Sequence, residues 1–264
     1  MTSSGSDGSA ETAVVKRGRL IGKGWIQGVA LVMLFGFTVM GLLAYRTYTD
    51  SMPQPDRVVT SSGETLFTTE DITAGQRLFQ ARGLMEYGSI LGHGGYLGQD
   101  FTAEYLRLEA TSVGDQLAAE GVADPATATR DMLRTNRYDP STGVLTWTDE
   151  QVTAYNEAVA HYTRLFGPEA HDHGLKPDLI TDPTEVRQVT AFFGWTAWGS
   201  AAQRPGLDYS YTNNWPPEPL VGNAPTGDLM IWSVLSLVVL IGGTGGMFAI
   251  YGRWSRKIGW RSEE

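Results

Sequence analysis

The sequence predicts a mainly α-helical protein in which a small helical domain is held between two transmembrane helices. Three observations carry that prediction. Two runs, 24–45 (GWIQGVALVMLFGFTVMGLLAY) and 229–252 (LMIWSVLSLVVLIGGTGGMFAIYG), contain no charged residue. Each exceeds the roughly 20 apolar residues that a helix needs to cross a hydrocarbon core. Between them, apolar residues recur at helical spacing behind recognisable cap residues, and strand-like sequence is confined to one short stretch.

Residues 1–23 are predicted to be a disordered basic tail, because MTSSGSDGSAETAVV is small and polar and Lys16, Arg17, Arg19 and Lys23 follow it. The run 24–45 is longer than the ~7–15 residues of a signal-peptide core. No small-x-small cleavage site follows in RTYTDSMPQP, so the run reads as an uncleaved anchor. Trp25, Tyr45, Trp232 and Tyr251 stand near the ends of the two runs, where aromatic belts lie. Arg253, Arg256, Lys257 and Arg261 make the tail 253–264 basic as well. A multi-pass cell-membrane protein with both termini cytoplasmic and 46–228 extracytoplasmic is the expectation.

The loop 46–228 carries 12 Lys+Arg against 25 Asp+Glu, a net of 12 − 25 = −13, within a chain of net charge −9. That acidity argues against a nucleic-acid partner and against lying flat on anionic lipid. With no cysteine, disulfides, thiolate metal sites and a thioether-linked haem are excluded, since haem attachment needs C-x-x-C-H.

Within the loop, TDSMPQPDRVV reads as an extended linker, with Pro53 and Pro55 opposing helix. TTEDITAGQRLFQARGL predicts a helix capped by Thr68 or Thr69, with Ile72, Leu78 and Phe79 on one face. DFTAEYLRLEATSVGDQLAAEG predicts a second, from Asp100 or Thr102 to Gly121, with Phe101, Tyr105, Leu108 and Val113 roughly aligned. Asp124–Pro125 starts a third as cap and first helical residue. Thr148 with Gln151 forms a capping box for a fourth, which Gly167 ends. Asp182–Pro183 starts a fifth. Only TGVLTW, 142–147, looks like a strand. Short helices with long connections and little sheet suggest a domain of cytochrome-c type. RPGLDYSYTNNWPPEPLVGNAPTGD, 204–228, is rich in proline and aromatics, and reads as irregular chain packed against protein.

Few residues offer chemistry. His171 and His173 could ligate a metal, but one spacer residue in a loop equally suits a solvated turn. His161 sits mid-helix among Tyr155, Val159 and Tyr162 and reads as a packed or surface residue. Trp195 and Trp198, with Phe192, read as core rather than a cofactor box. The spans contain neither histidine nor acid, hence no haem ligands and no proton relay of their own. GGTGG, 242–246, would let a neighbouring helix come close. The stretch RGLMEYGSILGHGGYLGQDF, 82–101, is neither a phosphate loop nor a dinucleotide fingerprint. Its glycines could aim backbone carbonyls at a hard cation such as calcium, or simply make a tight turn.

GLMEYGSILGHGGYLGQDFTAEYL, FFGWTAWGSAAQRPG and YSYTNNWPPEPLVGNAPTGD, in this order, resemble the N-terminal part of quinol-dependent nitric oxide reductase. The resemblance implies a transmembrane helix, a haem-free cytochrome-c-like domain and a linking transmembrane helix. In the family these precede a bundle holding b haems and a non-haem iron, which reduces two NO to N₂O with electrons from quinol. This sequence stops after the linking helix. The expectation is therefore a non-catalytic module, partnered by a haem-containing multi-span bundle in a separate chain or in further sequence.

The resemblance also implies that the haem-attachment motif of the sister enzymes falls on Leu84–Gly88. Leu84 and Tyr87 replace the cysteines, Gly88 replaces the ligand, and Met85, Glu86 and Tyr87 fill the vacated space. It further implies that the carbonyls of Gly94 and Tyr96 help bind calcium, with a carboxylate supplied by the bundle, so that the chain alone binds calcium poorly. The contrasting reading is a two-span ectodomain that senses or binds a ligand without any link to oxidoreductase chemistry.

Overall fold

The computed structural model describes residues 23–49, 51–254 and 257. The predicted disordered tail and most of the C-terminal tail lie outside the described residues. The chain falls into two compact units, one formed from within 1–47 and 236–264, the other spanning 48–235.

The first unit holds helix α1 (Lys23–Thr49) and most of helix α8 (Gly227–Trp254). Both helices outrun their charge-free cores. Within Ile26–Thr49 and Met230–Ile250 the most apolar 18-residue windows have mean hydropathy of 2.1 and 2.0, and no residue of those windows is buried by protein. Apolar surface so extensive belongs in lipid, and this is a membrane protein. Hydroxyls within the spans turn back on their own helix, Thr38 to the Leu34 carbonyl (2.8 Å) and Thr244 to that of Leu240 (2.7 Å).

The second unit is mainly helical. Its helices are α2 (Thr69–Ala81), the single turn α3 (Leu84–Tyr87), α4 (Phe101–Ala119), α5 (Pro125–Arg134), α6 (Asp149–Phe166) and α7 (Pro183–Ala201). Their starts are set locally. Asp71 accepts from the Thr68 backbone N–H (3.0 Å), which makes Thr68 the cap of α2. Asp100, Asp124 and Asp182 cap α4, α5 and α7, and Thr148 and Gln151 exchange bonds at the start of α6.

The helices pack α2 on α7, α4 on α5, α6 and α7, and α6 on α7. Gly75 is the contact between α2 and α7: a Cβ there would lie 2.0 Å from the Gln188 carbonyl oxygen. The centre is aromatic. Phe101 stacks on Phe193 with centroids 4.7 Å apart, and Phe79, Tyr162 and Phe166 surround the pair. Trp198 is buried and Trp195 donates its indole N–H to the Pro53 carbonyl (3.0 Å), so the tryptophan pair belongs to the packing.

Two expectations need correcting. The strand at 142–147 is not alone: β1 (Arg57–Val59), β2 (Thr65–Thr68), β5 (Tyr138–Asp139) and β6 (Val144–Thr146) form a sheet in the order β2-β1-β6-β5. Cross-strand partners Phe67, Val58, Leu145 and Tyr138 form a row across it, buried but for the half-buried Tyr138. And 49–59 is not merely an extended linker. Its end is strand β1, and Met52 occupies the space that a Cβ on Gly199 would take.

Segment 204–228 contains no helix or strand before α8, as expected, and Ser210, Glu218, Val221 and Asn223 are buried within it. The Trp215–Pro216 peptide is cis.

Candidate functional site

The glycine-rich stretch folds onto the turn that precedes it. Strands β3 (Ser89–Ile90) and β4 (His93–Gly94) form a hairpin whose two central residues, Leu91 and Gly92, have φ of +53° and +80°. Two successive positive values mark a type I′ turn, the one that matches strand twist. Gly94 and Gly95 lie against α3. A Cβ on either would come within 2.3 Å of a carbonyl oxygen, that of Gly88 or of Glu86. The glycines are there because backbone meets backbone.

Helix α4 supplies the hairpin's fixings. One oxygen of Asp100 accepts from the backbone of Ala103 (3.0 Å), and the other from Gly92 N–H (2.6 Å) and the Ser89 hydroxyl (2.8 Å). Thr102 accepts from Leu91 N–H (3.2 Å). Sequence alone identifies Asp100 only as a helix cap. Its second task is invisible without the hairpin.

Beyond the hairpin the chain is exposed. Tyr96 and Leu97 are each 87% exposed, and Met85 beside them is 47% exposed. Among the described residues none donates a hydrogen bond to the Tyr96 carbonyl. That free oxygen suits a cation, but calcium takes about 6–8 oxygen ligands. No group of three acids or histidines able to hold a metal occurs among the described residues. The carbonyls of Gly94 and Tyr96, the residues expected from the resemblance, fall well short of that number of oxygen ligands. His93 is exposed and its Nδ1 lies 3.1 Å from the Leu91 carbonyl, within its own turn.

Leu84 to Gly88 form a closed turn. Leu84 is fully buried, and a Cβ on Gly88 would lie 2.4 Å from the Gln99 carbonyl oxygen. Tyr87 is half-buried over Gly98, its hydroxyl 3.3 Å from Gln99, and burial with the nearby Glu104 carboxylate raises its pKa. Met85 and Glu86, in contrast to the expectation, do not fill interior space. They point outward, because a single helical turn can bury only one face. The interior is filled instead by Leu84 and the aromatic stack.

A family model describing the cytochrome c-like domain of NorB, a component of nitric oxide reductase, matches residues 55–217, more than half of the chain. The chain belongs to that family. No curated protein matches it. In this NorB family chain the match begins just before the sheet and ends just past Trp215, between the two apolar helices.

The other candidates are peripheral to this NorB-type domain's hairpin. His171 and His173 sit on a 3-10 turn (Ala170–His173), with the side chains of His171 and Asp172 more than 80% exposed. His161 faces Glu104, Nε2 to Oε1 3.1 Å. Two features escape a reading of the sequence. Trp215 lies on the hairpin, donating its indole N–H to Leu91. Glu109 is 3% exposed on α4, bonded to the Gln151 amide (2.9 Å), and burial pushes its pKa up to about 7.

Proposed function

We propose that the chain is the non-catalytic module of a quinol-dependent nitric oxide reductase, seated on the extracytoplasmic face of a haem-bearing, multi-span bundle. Membership of the NorB cytochrome c-like family and the two membrane helices support a role within a nitric oxide reductase complex. The observation that carries the finer reading is the rigid hairpin whose neighbouring Tyr96 and Leu97 stand almost wholly in solvent. Adjacent large apolar side chains held out on a braced turn suit a surface that a partner covers.

Gly94 and Tyr96 would hold part of a calcium ion at that contact, the ion supplying charge to neutralise carboxylates brought by the partner. The chain's own contribution is geometry: Asp100 and Thr102 hold the turn, and the aromatic core supports it. With no cysteine, the chain offers no thioether attachment for a haem.

The test is to purify the chain from its native membranes and to look for a histidine-rich, multi-span, haem-bearing protein or segment that comes with it. The pair is expected to purify together, with a haem absorption band belonging to the partner, and to part when calcium is chelated. A Soret band carried by this chain alone, or no association, sinks the proposal.

A further inference from the structure

Two of the three sequence blocks that carry the family resemblance, the glycine-rich turn and the one containing YTNNWPP, meet at Trp215. The Trp215 indole N–H donates to the Leu91 carbonyl at 3.0 Å. Its ring also covers Gly92, where a Cβ would lie 2.9 Å from Nε1 and 3.4 Å from Cε2 and Cζ2. Leu91 is the residue that most needs holding, because a non-glycine residue at positive φ costs about 1 kcal/mol or more. Its N–H is taken by Thr102 and its carbonyl by Trp215, so both sides of the strained residue are clamped.

Trp215 is itself held by the segment that leads into α8. Asn213 and Asn214, both with positive φ, turn the chain over Ser210, whose hydroxyl accepts from Asn214 N–H (2.8 Å). The Asn213 carbonyl accepts from Thr226 N–H (3.4 Å), and the Thr226 carbonyl from Met230 N–H (3.3 Å) in the first turn of α8. A short chain of bonds thus runs from the start of the membrane helix, through the asparagine turn and the indole, to the hairpin.

We infer that Trp215 is a positioning residue, tying the hairpin that presents Gly94 and Tyr96 to the foot of α8 through its hydrogen bond to Leu91. The inference rests on the reading of that hairpin as the docking turn. Its work is orientation: the indole fixes the turn at a set place relative to the segment entering the membrane helix, where a partner in the same membrane would meet it. Phenylalanine could cover Gly92 but could not hold the carbonyl.

The experiment is hydrogen exchange on the full-length chain in detergent, wild type against Trp215→Phe, with Gly92→Ala, Trp215→Ala and their double variant. Loss of one hydrogen bond predicts about 3- to 10-fold faster exchange in peptides covering 89–98 for Trp215→Phe, with α4 and α7 unchanged. Gly92→Ala and Trp215→Ala are expected to couple, the double variant being less loosened than the sum of the two. A merely space-filling Trp215 would leave the Trp215→Phe exchange at the wild-type rate, and that result overturns the inference. So does strict additivity of the pair. Failure of the chain to associate with a haem-bearing partner refutes the function proposed above, whereas the exchange result judges Trp215 independently of any partner.

Discussion

Replacing Glu109 by glutamine should make the protein more stable at alkaline pH and remove part of its pH dependence. Glu109 is 3% exposed between α4 and α6 and receives one hydrogen bond, from the Gln151 amide. Desolvation outweighs that bond and lifts its pKa from 4.5 to about 7. The folded-state value therefore lies above the unfolded one. Such an acid contributes its full stability below about pH 4.5, and loses it as pH rises through about 7. A difference of about 2.5 units at 1.36 kcal/mol each amounts to about 3 kcal/mol, fully expressed only above pH 7.

Glutamine keeps an oxygen for the Gln151 amide and cannot ionise. Urea unfolding of the full chain in detergent, followed by near-UV circular dichroism from about pH 5 to about pH 8.5, measures both proteins in parallel. The wild type is expected to fall relative to Glu109→Gln by about 2.5 kcal/mol across that range, the first part being lost already below about pH 5. Parallel curves would refute the reasoning, because every other titrating group is common to both proteins and cancels in the difference.

Other outcomes follow from close packing and from the hairpin's fixings. Gly75→Ala forces a methyl onto the Gln188 carbonyl and should destabilise the domain by about 3 kcal/mol in chemical denaturation. Phe101→Ala removes the ring stacked on Phe193 at the centre of the core, an expected loss of about 3–5 kcal/mol by the same measure. Asp100→Ala strips the cap from α4 and leaves Gly92 N–H without its acceptor, costing about 2 kcal/mol and exposing 89–98 to limited proteolysis. The triple change Leu84→Cys, Tyr87→Cys, Gly88→His restores a haem-attachment motif in sequence. It should still yield no covalent haem, read by the absence of a Soret band after denaturing electrophoresis, because the Gly88 site faces Gln99 and the interior is closed by the aromatic stack.

The helices are legible in the sequence because their signals are local. A cap such as Thr148 and its partner Gln151 lie within one turn, and only those residues have to agree. The sheet is largely illegible. Strands of two to four residues are too short to show alternation, and β1 finds its partner β6 only through tertiary contact. The glycines mark the hairpin as a place where backbone comes close, but not what it approaches. The answer is its own preceding turn on one side and Trp215 on the other, a residue 124 positions away from Leu91. Glu109 is hidden for a different reason, since helical spacing places an acid on a face without saying that a glutamine from α6 waits there.

Strand β1 runs antiparallel to its sequence neighbour β2 but parallel to β6, and this arrangement governs the order of assembly. Residue 57 can pair early with residue 68 but gains its second neighbour only once residue 144 has been synthesised, and Met52 and Pro53 wait longer still, for Gly199 and Trp195. The first residues of the domain are thus among the last to be organised during synthesis. A nascent chain tethered by its first membrane helix keeps a loose leash until α7 emerges, and only then is the slack taken up.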